Sequence, residues 1–273
     1  MNDFKTRYGS WALITGGTSG IGAALTKQLA QAGLNLVVVA RTQSTLDAQA
    51  AALSKDFGVT VRTVAADLTQ ATGTATVIDA VKDLDIAVLV LSAAVESKGY
   101  FVDESLARHR ALVQMDVVGP MELAHHFGGK MASRGKGAIL LVSSLSGWMA
   151  QPYMAHYGAA KAYVMALGEG LHQEMKDKGV DVSVLSPGPT QTPMLAATGI
   201  DFGSMGMAVM PPEPVAAAGL AALGQRPHAV PGLRNQLTVF MMTRVMSRGL
   251  VGWLFKKMMG KALKLGPAKP AVA

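Results

Sequence analysis

Six short apolar runs separated by segments of helical length constrain this chain more than any other feature. The runs are Trp11–Thr15, Asn35–Ala40, Val59–Ala65, Ile86–Leu91, Ala138–Val142 and Val180–Leu185. Most are apolar at consecutive positions and rich in Val, Leu and Ile, the pattern of strands buried on both faces of a parallel sheet. Residues 20–32, 43–57, 70–83, 104–133 and 155–178 lie between them and predict helices. Strand and helix in alternation predict an α/β fold with a doubly wound parallel sheet. Right-handed crossovers then gather the loops at the carboxyl ends of the strands into one crevice. A length of 273 residues, half of them hydrophobic, suits a single large domain.

The first crevice loop reads Thr15-Gly16-Gly17-Thr18-Ser19-Gly20-Ile21-Gly22. Glycine permits positive φ and lets an anion approach the backbone, and a helix starting near Gly20 aims its free N–H groups at that anion. A glycine-rich turn between strand and helix points to a dinucleotide pyrophosphate, held by Gly16, Thr18, Ser19, Gly20, Ile21 and Gly22. The second run ends at Arg41, where a dinucleotide fold meets the adenosine ribose. Arginine there suits a 2′-phosphate, whereas a carboxylate would suit a free hydroxyl. The third run ends at Asp67-Leu68, where Asp67 either accepts from an adenine amino group or caps the next helix. Ser92 and Ala93 follow the fourth run on the same side.

Residues 138–161 carry the chemistry. Ser144 ends a strand, and Tyr157 and Lys161 stand at i and i+4 on one helical face. An ammonium beside a phenol stabilises the phenolate and makes the tyrosine an acid/base, while Ser144 can hydrogen-bond a substrate oxygen.

With these residues in view, the chain resembles the short-chain dehydrogenase/reductase family. The resemblance rests on TGGTSGIG at 15–22, on Ser144 with Tyr157-x-x-x-Lys161, and on Pro187-Gly188-Pro189-Thr190-Gln191-Thr192. It covers residues 10–193 and implies a Rossmann-like sheet. It also implies that Tyr157 moves a proton at the carbinol oxygen, Lys161 lowers its pKa and holds the nicotinamide ribose, and Ser144 polarises the carbonyl. Pro187, Gly188, Thr190 and Thr192 would lie along the nicotinamide half. Two departures stand out. Leu91-Ser92-Ala93-Ala94 replaces the family's Asn-Asn-Ala-Gly, and Asp116 stands where the family has a catalytic Asn.

The expected enzyme is thus an NAD(P)-dependent oxidoreductase that moves a hydride between NADP(H) and a secondary alcohol or ketone. NADP(H) is favoured over NAD(H), which the same cradle admits. A body over 1–225 would bind cofactor and carry catalysis, with a C-terminal helical extension over 226–273. Met149, Tyr153, Met154, Met194 and Leu195 would form an adaptable apolar wall for a lipophilic substrate. The alternative reading, motivated by the two departures, is a cofactor-binding sensor or membrane-attached scaffold with little turnover.

Charge and composition narrow the partners. Residues 226–273 hold nine Lys and Arg and no acid, while the first 225 residues hold sixteen basic and eighteen acidic residues. With 5% aromatics, nucleic acid is not an expected partner. There is no cysteine, which excludes disulfides and thiolate metal sites, and the six histidines lack metal-ligand spacing. No secretory pattern opens the chain, so a cytoplasmic homo-oligomer is expected, the family often associating through helices such as 104–133 and 155–178. Within 250–265, Val251, Leu254, Phe255, Met258, Met259, Ala262 and Leu265 share one helical face, opposite Lys256, Lys257 and Lys264. That face either caps the core or a neighbouring subunit, or lies at a membrane surface as a peripheral contact.

Overall fold

The computed structural model describes residues 4–203 and 205–264. Seven parallel strands form one sheet in the order β3-β2-β1-β4-β5-β6-β7. They are β1 Trp11–Thr15, β2 Asn35–Ala40, β3 Val61–Ala65, β4 Ile86–Leu91, β5 Gly137–Val142, β6 Val180–Leu185 and β7 His228–Ala229. The first six helices are α1 Phe4–Tyr8, α2 Gly20–Gln31, α3 Gln43–Phe57, α4 Gly73–Ala80, α5 Leu106–Val113 and α6 Gly119–Arg134. The others are α7 Ala155–Lys176, α8 Pro193–Thr198, α9 Pro212–Ala222, α10 Leu233–Phe240 and α11 Arg248–Ala262.

Consecutive apolar residues are needed because each of the central strands β1, β2, β4 and β5 feeds two cores. Ile14, Val38, Val90 and Leu140 face one side with Leu25 and Leu29 of α2 and Val215 of α9. Their sequence neighbours Leu13, Val37, Leu89 and Ile139 face the other, with Leu123 and Phe127 of α6 and Val164 of α7. The strand order reverses direction at β1, between β2 and β4. A crevice opens there, outside the carboxyl ends of the strands.

Three boundaries differ from expectation. β3 starts at Val61, not Val59, because Gly58 ends α3 in the left-handed region at φ +67° and the chain is still turning away at Val59. The helix expected over 70–83 is reduced to α4, with turns on both sides. The long helix over 104–133 is interrupted by a π-helical turn, Gln114–Val118. Pro120 has no N–H for the carbonyl of Asp116 four residues back, and Gly119 N–H instead reaches Gln114 O, five back.

The C-terminal extension adds β7 to the edge of β6 and then packs over the crevice. Phe255 and Met259 of α11 are buried with Met154, Ile200 and Phe202 in a third apolar cluster, and Val251 on the same face is buried too. This is the inward face anticipated for the segment, although Leu254 is 41% exposed. Leu265 lies outside the described residues. Among those described, no helix is long and apolar enough to cross a membrane.

Candidate active site

The glycine turn between β1 and α2 is built for a close backbone approach. Gly16 has φ +67° and Gly20 φ +52°. A Cβ on Gly22 would stand 2.1 Å from Gly16 O, so α2 can begin this near the turn only with glycine there. Ser19, the N-cap of α2, does not spend its side chain on the helix's own N–H groups. The positive end of a twelve-residue helix therefore opens on the crevice. A nicotinamide dinucleotide fits this cradle, since a side chain at Gly16, Gly20 or Gly22 would meet neighbouring atoms and the turn supplies backbone room for a pyrophosphate.

One cleft of about 390 Å³ runs from this turn to the first turn of α7. Gly16, Thr18, Ser19, Gly20, Ile21 and Gly22 line one end, with Arg41, Leu68, Ser92 and Ala93. Arg41 is exposed at the end of β2, beside Thr42. Ser144, Tyr157 and Lys161 line the other end, with Pro187, Gly188, Thr190 and Thr192. Met149, Met154, Met194 and Leu195 border that same end.

Three expected residues do not line it. Asp67 turns its Oδ1 back to accept from Thr69 N–H at 3.0 Å and Thr69 Oγ1 at 2.7 Å. These bonds close a local turn and hold its carboxyl below the usual range, and the expected cap falls elsewhere, because α4 starts at Gly73 with Thr72 at its N-cap. Tyr153, at φ +68°, packs edge-on against Tyr100 with ring centres 5.2 Å apart and covers Gly260 of α11. Asp116 lies behind the cleft surface, against Lys161.

The end of the cleft that holds Ser144, Tyr157 and Lys161 is set by short local bonds. Ser144 lies just past the end of β5 and accepts from Ser146 N–H at 3.1 Å, which fixes its hydroxyl at the start of a tight turn over Leu145–Gly147. Gly147 lets that turn rest on α7, for its Cβ would meet the Lys161 carbonyl at 2.8 Å. Ser143 Oγ donates to Lys161 O at 2.7 Å, joining β5 to α7. Lys161 Nζ lies 3.2 Å from Asp116 Oδ2, 3.4 Å from Val142 O and 5.6 Å from the ring centre of Tyr157. Asp116 Oδ1 accepts from Val95 N–H at 2.8 Å, tying the loop after β4 to the π-helical turn.

Burial pushes the Tyr157 phenol above its ordinary pKa. The Lys161 ammonium pulls it back, Asp116 adds to the rise, and the Ser144 hydroxyl lowers it through a hydrogen bond. Burial alone would lower the Lys161 ammonium, but Asp116 and Tyr157 outweigh it and the net shift is upward. Burial raises the Asp116 carboxyl against the pull of Lys161. The phenol thus holds its proton near neutral pH and stands beside a hydroxyl donor, an arrangement able to polarise and protonate a carbonyl oxygen.

Several cleft residues were missed from sequence. Glu96 and Gln151 lie on the wall, as do Phe202, Thr238, Met242 and Phe255. The last three come from the C-terminal extension. Met207 also lies on the wall, in the Met-rich stretch after Thr192 that holds Met194, Met205, Met207 and Met210; nothing local marked Thr238 or Met242, and the apolar face of 250–265 marked Phe255 as buried without pointing to the cleft.

The fold and this constellation define a dinucleotide-dependent oxidoreductase. Residues 10–201 match the family model described as short chain dehydrogenase. The chain belongs to the short-chain dehydrogenase family, whose members act on CH–OH and C=O groups. It is 32% identical over 224 residues to a 7β-hydroxysteroid dehydrogenase of Clostridium sardiniense, covering 82% of this chain and 86% of that one. A solved structure concerned with 7β-hydroxysteroid dehydrogenase stereoselectivity superposes with a TM-score of 0.87 at 28% identity, over 92% of this chain and 98% of the other. A short-chain dehydrogenase from Sphingobium yanoikuyae in complex with NADPH superposes at 0.77, also at 28% identity, over 95% and 99%.

Proposed function

We propose that the protein is an NADP(H)-dependent oxidoreductase interconverting a bulky, largely apolar ketone and its secondary alcohol. The observation that carries this reading is the meeting of Ser144, Tyr157 and Lys161 with an apolar wall of Met149, Met154, Phe202, Met207 and Phe255 in one cleft. A bound nicotinamide dinucleotide supplies or accepts the hydride. Ser144 donates a hydrogen bond to the carbonyl oxygen and fixes its position. Tyr157 gives that oxygen its proton in reduction and takes it back in oxidation. Lys161 favours the phenolate that this leaves and, on the cleft floor, is placed to hold the nicotinamide ribose. Arg41 would hold the 2′-phosphate, and Gly16 to Gly22 the pyrophosphate. The relatives' hydroxysteroid is a bulky apolar secondary alcohol, which supports the substrate class, and the NADPH complex of a structural neighbour supports the cofactor.

The body over 1–225 carries the cofactor cradle and the acid/base trio, and Thr238, Met242 and Phe255 of the extension over 226–273 wall the substrate end. The exposed Met121 of α6 and Tyr163 of α7 suit a homo-oligomer built through those helices. A sensor or scaffold with little turnover is the weaker reading, because it gives no reason to keep the trio assembled. The test is NADPH oxidation with a panel of bulky ketones, 7-oxosteroids among them. Turnover that falls by about 10²- to 10⁴-fold in Tyr157→Phe, with NADPH affinity unchanged, supports the reading. Tight NADPH binding without turnover of any ketone favours the sensor.

A further inference from the structure

The outer surface of the C-terminal extension is unlike the rest of the molecule. Of thirteen exposed large apolar side chains among the described residues, eight fall between residues 233 and 254. On α10, Leu233, Leu237 and Phe240 stand at i, i+4 and i+7, 83%, 62% and 55% exposed, while Asn235 and Val239 on the opposite face are buried. On α11, Leu250, Trp253 and Leu254 are exposed on the face turned away from buried Val251, Phe255 and Met259. Two apolar stripes therefore point outward after the inward face of α11 has been used by the core.

Cations are interleaved with them. Arg234, Arg244, Arg248, Lys256, Lys257, Lys261 and Lys264 are all exposed. Lys257 Nζ sits 4.0 Å over the Trp253 ring. The last acidic residue of the chain is Glu213, so no carboxylate in this segment neutralises them. The inner side of the same helices reaches the substrate end of the cleft through Thr238, Met242 and Phe255.

We propose that the outer face of α10, the π-helical turn Met241–Val245 and α11 docks on an anionic lipid surface. Leu233, Leu237, Phe240, Leu250, Trp253 and Leu254 enter the interface, and the surrounding Lys and Arg pair with lipid phosphates. Apolar side chains at i, i+4 and i+7 with flanking cations suit an interfacial helix. Isologous pairing with a second copy would set one acid-free cationic face against another. Docking would bring the walls of the cleft close to the bilayer, where an apolar ketone partitions. The surface stands apart from the acid/base reading and is tested apart from it.

The experiment is vesicle sedimentation of the whole protein, using phosphatidylcholine with and without phosphatidylserine, at low and high salt. Binding should require phosphatidylserine and weaken with salt. Lys257→Glu, in exchanging a charge, should weaken it by more than the roughly five-fold expected for each cation removed. Leu237→Ser and Trp253→Ser should weaken it at every salt concentration. None of these side chains lines the cleft, so unchanged NADPH binding certifies the fold of each variant. No sedimentation, or equal sedimentation with pure phosphatidylcholine, overturns the proposal. So does self-association abolished by Leu237→Ser in a protein that ignores vesicles, which would assign the face to a second copy.

Discussion

Asp116 Oδ2 lies 3.2 Å from Lys161 Nζ, and the two side chains are only 0% and 4% exposed. A carboxylate here meets the ammonium directly, and that ammonium is 5.6 Å from the ring centre of Tyr157. Removing one member of a buried pair strands the other, whereas an isosteric amide keeps the shape and deletes the charge.

Asp116→Asn therefore isolates electrostatics. The Asp116 charge raises the Tyr157 phenol. Its loss should move the rising limb of alcohol oxidation, which needs phenolate, to lower pH. The measurement is kcat/KM against pH in both proteins. Superimposable limbs, or a mutant limb at higher pH, would show that Asp116 does not set the phenol's charge state. An Asn can keep the bond from Val95 N–H, so NADPH affinity should change little.

Local pattern revealed the central strands because those buried on both faces, β4 and β5 above all, have no polar positions to blur them. Ser144, Tyr157 and Lys161 were legible because each is placed by its own element. Other parts depended on distant packing. Tyr153 turns to Tyr100 and Gly260 only when α11 is laid across it. Phe255 joins the cleft from almost a hundred residues beyond Tyr157, and no periodicity announces such a contact. The π-helical turn had a visible cause in Pro120, yet the apolar spacing of 104–133 reads through it. Asp67 read as a helix cap or an adenine contact, yet it closes a turn with Thr69 and leaves the cap to Thr72, a choice set by the length of the intervening turn.

Arg41 should decide cofactor choice. It borders the cleft at the end of β2, a strand end that carries no carboxylate of its own, and its charge helps hold the nearby Asp67 carboxyl low. A charge-assisted contact to a phosphate is worth about 1.5–3 kcal/mol, or roughly 10- to 150-fold in affinity. Arg41→Ala should lose most of the preference for NADPH over NADH while kcat with saturating NADPH is retained. Equal wild-type affinity for both cofactors, measured by fluorescence titration, would refute this role.

Gly22→Ala tests the cradle. The added methyl would stand 2.1 Å from Gly16 O, a backbone atom that cannot rotate away. Displacing the turn should cost about 1–3 kcal/mol of stability and weaken NADPH binding together. Gly129→Ala, inside α6 with open space around it, is the control. It should be neutral or raise stability by about 0.4–1 kcal/mol through the unfolded chain. Thermal melts with and without NADPH read both effects, and an unshifted Gly22→Ala protein would contradict the close packing.

His228 should make stability fall on acidification. Its Nε2 is 2.6 Å from Ser186 Oγ and its Nδ1 3.0 Å from Glu169 Oε1, with the Trp148 ring centre 4.8 Å away. Burial lowers its pKa below the ordinary histidine value, and Glu169 opposes the shift without cancelling it. The unfolded chain takes up the proton near pH 6.5, at a pH where the folded protein still refuses it. Between that pH and the folded pKa the unfolded state binds more protons, so stability declines as pH falls and levels off below the folded value. His126 and His156 are shifted the same way by burial and add to the slope. His228→Asn removes one titrating group. Its Tm between pH 7.5 and 5 should fall less steeply than that of the wild type, even though the lost bonds to Ser186 and Glu169 lower it at pH 7.5. Parallel curves would mean that His228 has the same pKa folded and unfolded, against the effect of its burial.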